Sequence, residues 1–157
     1  MKEEKNYSGM NHTEAKFCLI VTGGSVDQGL LAAVYEGAYG YPVHPYVIGV
    51  DKGLEALEQS DIEPDLIIGD FDSANDGIRA KYVTSPDAVM RDRCIVLNPE
   101  KDFTDTHVAV LEAAKRGFVR VLLLGATGTR IDHTLGNLGL LFTCEQAGIH
   151  AEILDLH

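Results

Sequence analysis

Two carboxylates one residue apart, Asp70 and Asp72, close the apolar run Leu66-Ile67-Ile68-Gly69. Carboxylates this close repel each other unless a cation or a proton sits between them. Hard oxygen ligands suit Mg²⁺. The plainer reading is a strand end with an Asx turn and a helix N-cap at Asp72 or Ser73. For a bare D-x-D that reading is the commoner one. Other acids keep similar company. Asp51 precedes Lys52 and Gly53, Asp102 and Asp105 stand beside Lys101 and Thr104, and Asp132 stands between Arg130 and His133 after the run Gly125-Ala126-Thr127-Gly128. Such neighbours suit phosphate and metal binding.

The elements that must position these residues follow from hydropathy and turn signals. Asp65 to Gly69 reads as a short, central strand, its apolar run Leu66 to Ile68 buried on both faces, and Gly69 is expected to let the backbone turn. Further strands are predicted over residues 16–21, 45–50, 93–97, 119–124 and 151–156. Helices are predicted over 27–39, 54–59 and 75–83. Asp102 or Thr104 caps the next helix, Asp105 lies in its first turn, and Lys115, Arg116 and Gly117 close it. Asp102 and Asp105, three apart at its start, can face the same side, although helix capping alone explains both. A last helix runs to about Ala147, with Leu135, Leu138 and Phe142 on one apolar face and His133 and Asn137 on the opposite one.

This alternation predicts an α/β fold, a Rossmann-like three-layer α/β/α sandwich around a mostly parallel sheet of about six strands. Right-handed crossovers put all strand-to-helix loops on one edge, where such sheets bind ligands. Asp51, Asp70, Asp72, Asp102, Asp105 and Asp132 are therefore expected on the same rim. The dinucleotide fingerprint and the P-loop are both missing from the sequence. Gly23-Gly24 is either a phosphate-approaching turn or a plain tight turn.

At 157 residues the length suggests one domain, and 45% hydrophobic with 24% charged residues is ordinary for a globular protein. The net charge of −11 argues against nucleic-acid and anionic-membrane partners. A nucleotide remains possible if metal ions stand between its phosphates and the carboxylates. Cys18, Cys94 and Cys144 form no C-x-x-C pair and read as small buried apolar residues in a reducing compartment. Residues 1–14 are polar, without the apolar segment of a signal peptide, and are expected as a flexible tail ahead of a catalytic domain over 15–157. No run approaches the roughly 18 apolar residues of a membrane span, so the cytoplasm is the expected location.

Four stretches in register carry a resemblance: GVDKG at residues 49–53, PDLIIGDFDS at 64–73, KDFTDT at 101–106 and GATGTRIDHTLGN at 125–137. In order and spacing they resemble the thiamine pyrophosphokinase family, in its nucleotide-binding catalytic domain, from about Lys16 onwards. Lys52 stands where many members have glycine, and Thr129 where glycine is frequent. The family's C-terminal β-sandwich domain, which helps to hold thiamine and to form the homodimer, is expected to be missing from these residues.

The resemblance implies Mg²⁺-dependent transfer of a pyrophosphoryl group from ATP to the thiamine hydroxyl, releasing AMP. Such transfers rely on positioning and charge neutralisation. A triphosphate with about four negative charges among these carboxylates requires Mg²⁺. By resemblance Asp70 and Asp72 hold the metal, with Asp102 and Asp105 completing or supporting that site. Lys101 touches a phosphate, and Thr127 and Arg130 bind ATP phosphates. Ser73 and Thr104 donate to phosphate oxygens or cap helices. His133 and Asn137 touch nucleotide or acceptor, and Asp51 the acceptor or the metal. Asp132 is an N-cap, a ligand to base or ribose, or a base for the hydroxyl. Two alternatives stay open: a D-x-D phosphohydrolase of the haloacid-dehalogenase kind, with Asp70 as nucleophile and Asp72 as acid, and a non-catalytic ATP/Mg²⁺-binding module.

Overall fold

The computed structural model describes residues 16–72, 74–100, 102–128 and 130–156. The tail over residues 1–14 and the candidate residues Ser73 and Lys101 lie outside the described residues. Strands β1 (Phe17–Val21), β2 (Tyr46–Val50), β3 (Leu66–Gly69), β4 (Cys94–Val96), β5 (Arg120–Leu124) and β6 (His150–Leu154) form one sheet in the order β4-β3-β2-β1-β5-β6. All five pairings are parallel. The helices between them are α1 (Gln28–Tyr35), α2 (Gly53–Gln59), α3 (Asp76–Ile78, prolonged by a wider turn over Arg79–Val83), α4 (Ala88–Asp92), α5 (Asp105–Lys115) and α6 (Ile131–Gln146). The expected α/β architecture is therefore present.

The chain steps outward from β1 through β2 and β3 to β4, then crosses to β5 on the far side of β1. β3 is an interior strand next to the edge, not the central one; β1 and β2 occupy the centre. The first helix ends at Tyr35, earlier than expected, because Gly37 and then Tyr39 take left-handed backbone angles, φ 89° and 57°.

Alternate residues of each strand serve opposite faces. Phe17, Leu19 and Val21 of β1 join Leu31 and Val34 of α1, Leu54 and Leu57 of α2, and Tyr82 in one core. Cys18 and Ile20 join Ala109, Val110 and Ala113 of α5 and Cys144 of α6 in the other. Cys18 and Cys144 are buried as expected, but Cys94 is only half-buried. Burial pushes all three thiols up, so they stay protonated and apolar.

The apolar face read on the last helix does not meet the core. Leu135, Leu138 and Phe142 are 62%, 47% and 64% exposed, and Ile131 joins them on the outside. Asn137, Leu140 and Cys144 are the buried residues of α6. The reason is local: Asn137 bonds the loop after β5, and the residues three and seven positions on follow it inward. Among the described residues no helix is long and apolar enough to cross a membrane.

Candidate active site

All six strands point their carboxyl ends to one edge, and a cavity of about 650 Å³ opens there. Its volume falls in the range of small-molecule sites. The wall is built by Thr22 to Gly24 after β1, Asp51 and Lys52 after β2, Asp70 after β3, Thr104 to Thr106 at the start of α5, and the loop after β5 with the first turns of α6. From β1 the chain turns toward β2; from β5 it turns the other way, toward β6. The cavity thus lies at the switch point of the sheet, where open α/β folds bind ligands.

The two diverging loops are stitched together. The amide of Thr22 donates to the carbonyl of Leu124 at 2.9 Å, that of Gly24 to Gly125 at 2.7 Å, and that of Ser25 to Thr127 at 3.1 Å. A Cβ on Gly24 would lie 2.1 Å from the Gly125 carbonyl oxygen. Gly24 is thus required for the close approach of two backbones, and its amide is already engaged, which removes it as a phosphate donor. The same loop is held from behind by Asn137, whose buried Nδ2 donates to the carbonyl of Ala126 at 2.8 Å. Asn137 borders the cavity as expected, but its amide serves the loop.

Asp51, Asp70, Asp105 and Asp132 border the cavity; Asp72 and Asp102 are exposed and do not. The separation of Asp70 from Asp72 turns on Phe71. Its φ is 58°, in the left-handed region, and its ring is buried in the core. The amide of Asp72 donates to Asp70 Oδ1 at 3.0 Å, an Asx turn, while the following helix is capped by Asn75 instead of Asp72 or Ser73. Gly69 also differs from expectation. Its φ is not left-handed; instead, a Cβ there would lie 2.2 Å from Asp51 Oδ1. The glycine makes room for a carboxylate.

At the start of α5, Thr104 is the cap: its Oγ1 accepts the amide of His107 at 3.1 Å. Asp105 follows in the first turn, and Asp102 lies before the cap. Among the described residues no group of three or more His, Cys, Asp or Glu side chains is close enough to hold a metal by itself. Mg²⁺ does not require one, since it is usually held by one or two carboxylates, with water and substrate phosphates supplying the rest. Asp70 and Asp105 fit that demand.

Across the cavity, Arg130 forks onto Asp132, Nε to Oδ1 at 3.1 Å and Nη2 to Oδ2 at 2.6 Å. The amide of His133 adds a third bond to Oδ1, at 3.0 Å. The hydrogen bond from Arg130 holds the Asp132 carboxyl below the usual carboxylate range. It is therefore ionised at neutral pH and a poor proton acceptor, so of its expected roles the base is the least suited. It is not the N-cap either; Arg130 holds that position. The Thr127 hydroxyl is enclosed and makes no hydrogen bond among the described residues. Sequence reading missed Thr22 and Thr106, whose buried hydroxyls meet at 2.8 Å although 84 positions apart. Only the strand order, which sequence periodicity does not fix, brings them together.

Comparison with known proteins follows the same residues. The model of the thiamin pyrophosphokinase catalytic domain matches residues 42–153. Thiamine pyrophosphokinase of Bacillus subtilis (strain 168) is 34% identical over 112 residues, which is 71% of this chain and 50% of the relative. The chain thus spans about half the length of that curated relative. A crystal structure of thiamine pyrophosphokinase from Bacillus subtilis aligns with a TM-score of 0.70 and 28% identity, over 90% of this chain and 61% of that one. Thiamin pyrophosphokinase from Geobacillus thermodenitrificans aligns with 0.65 and 30%, over 88% and 59%. The matched span holds every loop of the cavity wall except the one after β1, and on that ground the chain belongs to the family of thiamin pyrophosphokinase catalytic domains.

Proposed function

We propose that this chain transfers a pyrophosphoryl group from ATP to the hydroxyl of thiamine. In this reaction the thiamine oxygen bonds to the β-phosphorus, the bond from that phosphorus to the α,β-bridging oxygen breaks, AMP leaves, and the hydroxyl proton is released. The observation that carries the reading is that the cavity at the switch point gathers residues of all four motif stretches. Its charges suit a nucleotide bound with a cation. Asp51, Asp70, Asp105 and Asp132 face only Lys52 and Arg130 among the described side chains of fixed charge in its wall. Mg²⁺, when bound, neutralises phosphate charge; Asp70 and Asp105 are the residues proposed to hold it, with Asp72 and Asp102 nearby on the same rim. Arg130, Thr127, Thr104 and His133 are proposed to contact ATP. Asp51 is proposed to contact the acceptor.

Family membership sets aside the phosphohydrolase reading, whose D-x-D usually follows the first strand, whereas Asp70 follows β3. The cytoplasm is the proposed location, supported by the free cysteines. A homodimer, proposed from the family resemblance, is the assembly; nucleic acid and membrane are not proposed partners, given the charge of −11.

Incubation with ATP, Mg²⁺ and thiamine tests the reading. Thiamine diphosphate and AMP should appear in equal amounts, and Asp70→Asn should reduce both about a hundredfold or more, as expected when a charge-stabilising group is lost. Release of inorganic phosphate in place of AMP would make it a different enzyme. Mg²⁺-dependent ATP binding without AMP would make it a nucleotide-binding module.

A further inference from the structure

We propose that the hydroxyl pair Thr22–Thr106 contacts the substrate, donating one hydrogen bond to a phosphate oxygen of the nucleotide. This rests on the function proposed above and assigns two residues that the motif comparison does not. Thr22 ends β1 and Thr106 lies in the first turn of α5; both border the cavity, and each is only 6% exposed. Their Oγ1 atoms are 2.8 Å apart, and either one can be the donor.

Each hydroxyl carries one hydrogen and two acceptor lone pairs. The bond between them uses one hydrogen, so one remains. Among the described residues, neither hydroxyl makes another side-chain hydrogen bond. Both residues border the cavity, so the remaining hydrogen is available to an acceptor that enters it. Two features make the acceptor an anionic oxygen. Thr106 sits at the positive end of α5, an 11-residue helix. A neutral donor also serves a phosphate without competing for the cation that the surrounding carboxylates need. Because the pair can point its chain of hydrogens either way, Thr22→Thr106→phosphate or the reverse, it can donate from whichever end the phosphate approaches.

The test combines valine, which removes the hydroxyl and keeps the shape, with serine, which keeps the hydroxyl. The T22V, T106V, T22V/T106V and T22S/T106S chains are unfolded in urea and titrated with Mg²⁺-ATP and Mg²⁺-tripolyphosphate. Either single valine variant should be less stable than the wild type, because it strands one hydroxyl, and the double valine variant should regain most of the loss. The double valine variant should bind both probes about tenfold to a hundredfold more weakly, as for loss of a bond to a charged group, and the double serine variant should bind like the wild type. If the double valine variant does not fold, the singles decide: one must lose affinity while the other keeps it. Unchanged affinity in the double variant, or in both singles, overturns the contact and leaves the function standing. Loss for Mg²⁺-ATP alone overturns the assignment to phosphate. A wild-type chain that binds neither probe overturns both this contact and the function.

Discussion

Gly69 shapes the site by what it lacks. With its Cα beside Asp51 Oδ1, any Cβ must push that carboxylate aside. Gly69→Ala should change stability by less than about 1 kcal/mol, since the clash is with the end of a part-exposed side chain, but should weaken thiamine binding by displacing the Asp51 carboxylate; urea unfolding and calorimetry read the two effects. Asn137 makes the complementary case. Asn137→Ala leaves the Ala126 carbonyl without its buried donor, at a cost of about 1–3 kcal/mol. Leucine at the same position should not rescue the loss, which separates a hydrogen bond from mere volume. At this scale residue type was more legible in the sequence than residue position. The spacing of Asp70 and Asp72 marked both as candidates, but which one borders the cavity depends on the left-handed angle of Phe71. No propensity predicts a buried phenylalanine in that conformation.

Among the elements, α6 separates pattern from environment. Its most regular apolar spacing, Ile131, Leu135, Leu138 and Phe142, faces outward. Its inward face carries an asparagine, a leucine and a cysteine. Hydropathy alone ranks the first set as core; the hydrogen bond from Asn137 to Ala126, invisible in the sequence, sets the rotation. Leu138→Ser should therefore leave the thermal midpoint nearly unchanged, whereas Leu140→Ala should cost about 2–5 kcal/mol, as for a buried leucine. Helix α5 was the more legible element: Thr104, one of its two expected caps, caps it, Asp105 lies in its first turn and Lys115 in its last, with Arg116 one step on as the C-cap. Its last turn also gives a pH dependence. Hydrogen bonds from Lys115 and then Arg116 hold the Glu112 carboxyl below the usual range, against the desolvation that raises it. A lowered folded-state value means that this stabilisation is complete above the ordinary carboxylate pKa of about 4.3. It is lost as pH falls through the lowered value. Glu112→Gln should be less stable at pH 7 by roughly a few tenths of a kcal/mol, the scale of exposed helical pairs. The difference should vanish in strong acid.

For the whole molecule, the alternation of strands and helices was enough to foresee a parallel sheet with its loops on one edge. It was not enough to give the strand order, and the order decides which loops become neighbours. The acidity belongs to this scale too. With a net charge of −11 and more carboxylates than fixed cations in the cavity, ATP and Mg²⁺ should raise the thermal midpoint together much more than either does alone, and a chelator should abolish the gain. A midpoint raised equally by ATP in chelator would show that the carboxylates need no cation.

The amide-to-carbonyl bonds joining the loops after β1 and β5 also limit how the chain can vary. They tie the two loops backbone to backbone past the strand ends, at a spacing that is no longer that of the β1–β5 ladder. An insertion in either one, between Thr22 and Ser25 or between Leu124 and Thr127, shifts every later bond out of phase. Among the described residues, the loop after β3 makes no such series of backbone bonds to another loop, and added residues there can bulge into solvent. Relatives of this chain should therefore differ in length after β3 far more readily than after β1 or β5, and where one of those two loops changes length, the other should change with it.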